Sequence, residues 1–546
     1  MRCRSAILAA SFALFAYACG SDDDDNKRQP NPEGGAGTAG SGGGGGGQEQ
    51  DGSSGSGGSD AGPVDGSSNP DAGFLETCTD LAAPDAGDAA AGDGGPTILT
   101  PRRVVAGAGV PLGVTDSGYV VFRDMGRLLA ADLSGTGTPF EIVSAGGTTN
   151  VRGPVVLHWS EISYETGRAT LTMWTGARCV RSIQNTLLAE DAVAVSANGS
   201  HLLYPVNVTD TAFDVVLATR DFASRQVVAA SVGRASDTTC RPRYGFAGAN
   251  VVLATCAPGS LDAKLRVLKP EAGSWMEKTV SDAANGVWIA SASGQRLVYT
   301  DNRSRALYWD GSDAPSTPVD DGVGWLRLNP AGTVLLYGAG DQMRRMTLPP
   351  AEDQLPRVLL TRNFRNIAAW SPNDQFALYS SRVDYEGSEK RDLLLARSDT
   401  DNLAVTKLVA TITARLSRSA FTQDSRYALY LSDIDAQGAG NLSVRALPAG
   451  ATVTEPKVDT VLALRGSRVL FSANRNDAAV PVVAELKLLD AATIAEPVVL
   501  QQRIVDGRNF HLTPDRYAVV YARPAQSGDA RIEGIWVHPV LDPVDD

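Results

Sequence analysis

The stretch Trp370-Ser371-Pro372-Asn373-Asp374-Gln375-Phe376-Ala377-Leu378-Tyr379 decides the reading of this chain. Pro presets φ at the second position of a tight turn, and Asn or Asp hydrogen-bonds its own backbone just after it. The apolar run ending in Tyr379 then reads as a buried strand leaving the turn, and Trp370 sits on the strand entering it. The stretch is a β-hairpin in outline.

The phrase returns along the chain. It recurs as Ser196–Tyr204, Ser291–Tyr299, Asn329–Tyr337, Thr422–Tyr430 and Thr513–Tyr521, with a shorter form at Thr115–Phe122. Several copies place Gly in the turn, where positive φ costs nothing. Starts from 196 onward are 95, 38, 42, 51 and 91 residues apart. The two long intervals each divide in two, with degenerate copies near Phe246 and at Arg465–Phe471. The 81 residues from Thr115 to Ser196 hide another copy around Trp159–Trp174. Weaker outer strands follow the hairpins, as at Asp392–Ala396 and Val405–Val409. About ten units of four strands, at a period of about 40–50 residues, predict an all-β chain folded as a β-propeller. No linker interrupts the array, which favours one large ring over two smaller ones. A strand near Val104–Val105 is expected to complete the short last unit, Thr513 to His538, and close the ring.

The phrase resembles the TolB-like, or WD40-like (PD40), repeat, whose consensus runs Trp-Ser-Pro-Asp-Gly before an apolar strand. Trp370-Ser371-Pro372-Asn373-Asp374 is the closest copy, and the resemblance covers nearly all of 104–546. It implies a module that binds envelope proteins or peptides. The N-terminal domain of TolB itself has no counterpart in the sequence, so a literal Tol-system role is not implied. Propellers of this kind also precede serine peptidase domains, but no such domain follows the last repeat here.

Charge separates the chain into parts. Of 546 residues, 43% are hydrophobic and 20% charged, with net charge -13. Residues 19–95 hold 15 acids against Lys27 and Arg28, so the remainder is close to neutral. A nucleic-acid binder held by a basic face is thereby excluded as a reading. Residues 1–18 read as a signal peptide: Arg2 and Arg4, then the apolar Ala6–Ala16, then Ala18 before Cys19. The pattern resembles a bacterial lipoprotein signal with Cys19 as the lipidated residue, although Ala16 stands where Leu is usual. An ordinary cleaved signal with a chance cysteine is the alternative. Gly20 after the cysteine resembles an outer-membrane address. Residues 19–97 are rich in Gly, Ser, Ala and Asp and are expected to be a disordered tether. The body is 98–546.

Cysteine usage fits an oxidising compartment. Without Cys3 and Cys19, four remain: Cys240 and Cys256 are expected to form a disulfide across a predicted hairpin, and a Cys78–Cys179 disulfide would follow by elimination. No spacing matches a zinc site. Among candidate catalytic residues, His201 occupies a repeat position filled elsewhere by Arg296, Phe376 and Tyr427, and His158 adjoins Trp159 on a predicted strand; both read as structural. The acidic loops Asp433–Gly438 and Asp384–Gly387 read as hairpin turns rather than calcium loops. No catalytic residue, metal or cofactor is expected. The sequence thus predicts a lipid-anchored envelope module that binds a protein or peptide, touching membrane through its lipid only. The alternative is an envelope enzyme, a lyase or glycan-acting hydrolase, working in the propeller channel.

Overall fold

The computed structural model describes residues 76–80 and, with short interruptions, 100–540. Every regular element among them is a β-strand, and the strands form eight antiparallel sheets. Five have four strands. One of the others gains a fifth strand at its edge, and two are longer because one strand serves two units. Ser274–Ala290 is the outer strand of one unit and the innermost strand of the next, and Thr452–Ala463 does the same in the six-stranded sheet. The units are four-stranded blades of a propeller ring, as the repeat predicts.

The physical meaning of the phrase is now visible. Among the described residues, ten repeat turns each hold one residue at positive φ: Gly118, Gly153, Gly199, Gly248, Gly294, Gly332, Asp374, Ser425, Gly466 and Arg516. The Ser425 turn is entered through a single bridge, Phe421 to Ala428, rather than a strand. The unit hidden before Ser196 turns at Gly153, ahead of the strand that carries Trp159. In the full phrases the opening Ser or Thr closes the turn with its hydroxyl. The amide of Phe376 donates to Ser371 Oγ (2.9 Å), that of Tyr427 to Thr422 Oγ1 (3.1 Å), and that of Ala518 to Thr513 Oγ1 (3.0 Å). Asn329 does the same through Oδ1, which accepts from Val334 (2.8 Å). The third residue orients this hydroxyl: Ser371 Oγ donates to Asn373 Oδ1 and Thr422 Oγ1 to Asp424 Oδ1. Each full phrase thus carries its own side-chain cap for a backbone amide that the hairpin leaves without a carbonyl.

Neighbouring turns then lock together. The Ala292 amide donates to Pro330 O (2.8 Å), Ala331 to Asp374 Oδ2 (3.0 Å), Asn373 to Ser425 Oγ (3.0 Å) and Asp424 to Gly466 O (3.3 Å). Arg465 Nε reaches Asp515 O (3.1 Å), and Asp116 donates to Gly153 O (3.1 Å). Between these contacts, apolar layers join sheet to sheet. Leu157, Trp159, Leu171 and Met173 pack on Leu202, Tyr204 and Val216, for example. Each side chain of that size contributes about 1.5–3 kcal/mol when removed from water.

The ring closes as expected. Arg102–Ala106 pairs with Gly534–Pro539, Val105 opposite Ile535, and Val104, Val105 and Ile535 share a core with Phe122 and Leu129 of the next sheet. One strand lies inside the segment read as a tether. Glu76–Asp80 pairs with the edge strand Cys179–Leu187, with Asp80 opposite Cys179 and Cys78 opposite Arg181. Thr77 and Thr79, β-branched and flanking Cys78, suit that extended edge. Cys256 is buried at the end of Asn250–Thr255. Cys19 and Cys240 lie outside the described residues, as does Asp384–Gly387. No helix among the described residues is long and apolar enough to cross a membrane.

Candidate functional site

A cavity of about 340 Å³ opens at the inner edge of the ring, where the last units meet the first two. The innermost strands supply its walls: Leu112 and Val114 from Val110–Val114, Val151 from Thr148–Arg152, Leu462 from Thr452–Ala463, and Leu512 from Phe510–Leu512. Its volume is at the lower end of ligand pockets. Side chains on an innermost strand alternate between neighbouring blades, so a partly exposed Leu or Val near a strand end borders the ring's opening. Gly113 admits a close approach there, because a Cβ at that position would lie 2.7 Å from Val151 Cβ.

Two ionisable side chains border this space, Arg516 and His511, so its lining is mixed rather than apolar. Arg516 stands at the positive-φ position of its turn, which turns its side chain toward the preceding blade. Its guanidinium donates to Ala463 O at 3.1 Å and has no carboxylate partner among the described residues. His511 Nε2 lies 3.3 Å from Pro111 O across the ring closure. An apolar wall with one cation can take an apolar side chain and orient an adjacent carboxylate or carbonyl. General acid–base chemistry calls for a second, convergent titratable group.

The remaining histidines lie apart from this cavity. His158 is buried, with Nδ1 2.9 Å from Thr149 Oγ1, and His201 stands edge-on to Trp275 beside Ser200 Oγ. His538 sits beside Tyr521, and burial, helped by Arg523, holds its pKa below the usual imidazole range. Burial pushes the Tyr521 hydroxyl up to about 12. In Asp433–Gly438 the Asp435 carboxylate accepts from the Gln437 and Ala439 amides, as a hairpin turn requires.

A second charged group formed without any signal in the sequence. Asp459, with a side chain 1% exposed, accepts from Arg508 Nε (2.9 Å) and Arg475 Nη1 (3.3 Å), and Arg475 also reaches Asp477 and Asp506. Arg475 and Arg508 lie 16 and 49 positions from Asp459, on the face opposite the repeat turns, so no local pattern announces the group. Arg516 was hidden differently. It occupies a turn position where the repeat otherwise favours Gly, and that departure was its one available signal.

No family model matches the chain, and no curated protein matches it in sequence. Solved structures match in fold. A crystal structure of the eukaryotic initiation factor is 12% identical with a TM-score of 0.43, over 67% of this chain and 90% of that one. TolB from Acinetobacter baumannii is 14% identical with a TM-score of 0.25, and the match spans 44% of this chain and 65% of TolB. The Cps50 (Swd1) β-propeller domain from Myceliophteria thermophila is 12% identical with a TM-score of 0.28, over 66% of this chain and 98% of the domain. The class of this protein, a β-propeller of four-stranded blades, rests on its own topology.

Proposed function

We propose that this protein is a binding module of the bacterial cell envelope, held by a lipid on Cys19 and engaging a protein or peptide at the ring-closure cavity. The observation that carries the reading is the mixed lining of that cavity: Leu112, Val114, Val151, Leu462 and Leu512 beside a polar side formed by His511, Thr513 and Arg516. Such a wall suits an apolar side chain presented by a partner, with Arg516 fixing its orientation. The signal-like N-terminus and the near-neutral body support an envelope location, at the outer membrane, and a partner recognised by shape more than by charge.

The test is a pull-down from detergent-solubilised envelope with the native chain, a Cys19→Ala chain and a Leu512→Asp chain. Envelope proteins recovered with the first two and lost with the third support binding at the cavity. Recovery that is unchanged by Leu512→Asp, in a chain with native circular dichroism, overturns it.

A further inference from the structure

In every unit the second and third strands are joined at the face opposite the repeat turns. Among the described residues, four of these tips carry a large apolar side chain into solvent: Met125 is 93% exposed, Tyr164 81%, Leu261 67% and Val480 98%. They belong to the first, second, fourth and ninth hairpins, an arc that spans the ring closure. Among the described residues, the tips at Asn302-Arg303-Ser304 and Asp433–Gly438 are polar, and so is Thr209-Asp210-Thr211 of the third hairpin, which interrupts the arc. Single exposed hydrophobics are ordinary on any surface, but one such residue at each of four tips on one arc of one face is a pattern.

The path of the chain adds an independent observation. Cys179–Leu187 runs toward this same face, and Glu76–Asp80 lies antiparallel to it. The chain therefore joins the body from the apolar-tipped face, on the sheet whose own tip is Tyr164. Only 56 residues separate Glu76 from Cys19. A lipid on Cys19 would keep that face within reach of the bilayer.

We infer that this face docks on lipid, with Met125, Tyr164, Leu261 and Val480 entering the interfacial layer of the membrane that anchors the chain. The inference rests on the lipid-anchor reading above. Tyr suits that layer because its ring is apolar and its hydroxyl stays wet. Each apolar tip adds to the hold of an acyl anchor, since membrane affinity rises with the apolar area inserted. Charge around the tips is mixed: Asp124 pairs with Arg127 and Arg475 with Asp477, while Glu165 directly follows Tyr164. The attraction is thus apolar, and it does not call for an anionic surface.

Hydroxyl-radical footprinting reads Met and Tyr side chains directly and needs no substitution at the tips. The acylated chain on phosphatidylethanolamine–phosphatidylglycerol vesicles is compared with a Cys19→Ala chain free in solution. Intact mass establishes acylation at Cys19 separately. The expected result is a several-fold drop in oxidation of Met125 and Tyr164 on vesicles, with Met276, near the opposite face, unchanged. Equal oxidation in a vesicle-bound, acylated chain overturns lipid docking and leaves the anchor standing. An unacylated Cys19 overturns the anchor, and the inference falls with it. Protection that grows with protein concentration in the Cys19→Ala chain, without vesicles, assigns the face to a second copy and also overturns lipid docking.

Discussion

The carboxylate of Asp374 accepts the amide of Ala331, in the preceding hairpin, at 3.0 Å, while its own backbone holds φ of 61°. Seven of the ten hairpins place Gly at this position. Two opposing effects meet in one residue: a side chain in the left-handed region costs about 1 kcal/mol, and its bond to the preceding blade returns about as much. Asp374→Gly should therefore stay within about 1 kcal/mol of the native chain. Asp374→Ala keeps the strain and loses the bond, and should cost about 1–3 kcal/mol in urea unfolding.

The same carboxyl makes stability depend on pH. Burial raises its pKa, and the Ala331 amide offsets this only in part. A raised carboxyl contributes stability that is fully present below the unfolded value and is lost as pH rises through the folded one. Asp374→Asn keeps an acceptor without a charge, so it should flatten this part of the profile and gain relative stability above that range. Unfolding midpoints measured from pH 3 to 7, values of about the carboxylate range, check it.

Thr513 tests the capping role of the phrase. Its hydroxyl, buried, accepts the Ala518 amide and lies within reach of Asp515 Oδ1. Removing it leaves that buried amide without an acceptor, at a cost of about 1–3 kcal/mol. Thr513→Val should show this loss in denaturant titration, and Thr513→Ser should recover most of it. A loss in Thr513→Ser without one in Thr513→Val would point to packing of the methyl group instead.

Asp459 is held between Arg475 and Arg508 and ties the shared strand Thr452–Ala463 to the connection that enters the last unit. Removing one member of a buried ion pair strands the others. Both guanidiniums keep some contact with water, so Asp459→Asn should cost about 3 kcal/mol, the low end for such pairs. A double-mutant cycle with Arg508→Gln checks the coupling: the second substitution should cost much less in the Asn background.

The repeat turns were legible because each is a local device. Ser371, Asn373 and Phe376 are adjacent in sequence and bond one another, so the phrase and the hairpin are one fact. The closing strand was legible for a related reason, since a short last unit and a lone Val104–Val105 segment ahead of the first implied each other. The strand Glu76–Asp80 was not, because five polar residues in a Gly-rich segment carry no alternation and gain a place only by meeting an open edge. The cavity was equally hidden. Leu112, Val151, Leu462 and Leu512 are ordinary strand residues until ring closure brings positions 400 residues apart together.

That closure depends on Gly534, where φ is 150° and a Cβ would lie 2.1 Å from Val105 O. The obstructing atom is backbone of Arg102–Ala106, so it cannot turn aside as a side chain would. Gly534→Ala should force the closing strand away and cost about 2–3 kcal/mol. Gly466→Ala is the control, for it has a positive φ of 61° but open space around its Cβ position, and should cost only about 1 kcal/mol. Hydrogen exchange separates the two. In Gly534→Ala the amides of Arg102–Ala106 should exchange faster while those of Phe376–Arg382, across the ring, keep their protection. Uniform loss of protection would mean that the ring opens as a whole, and that the closing strand is no weaker than the blades it joins.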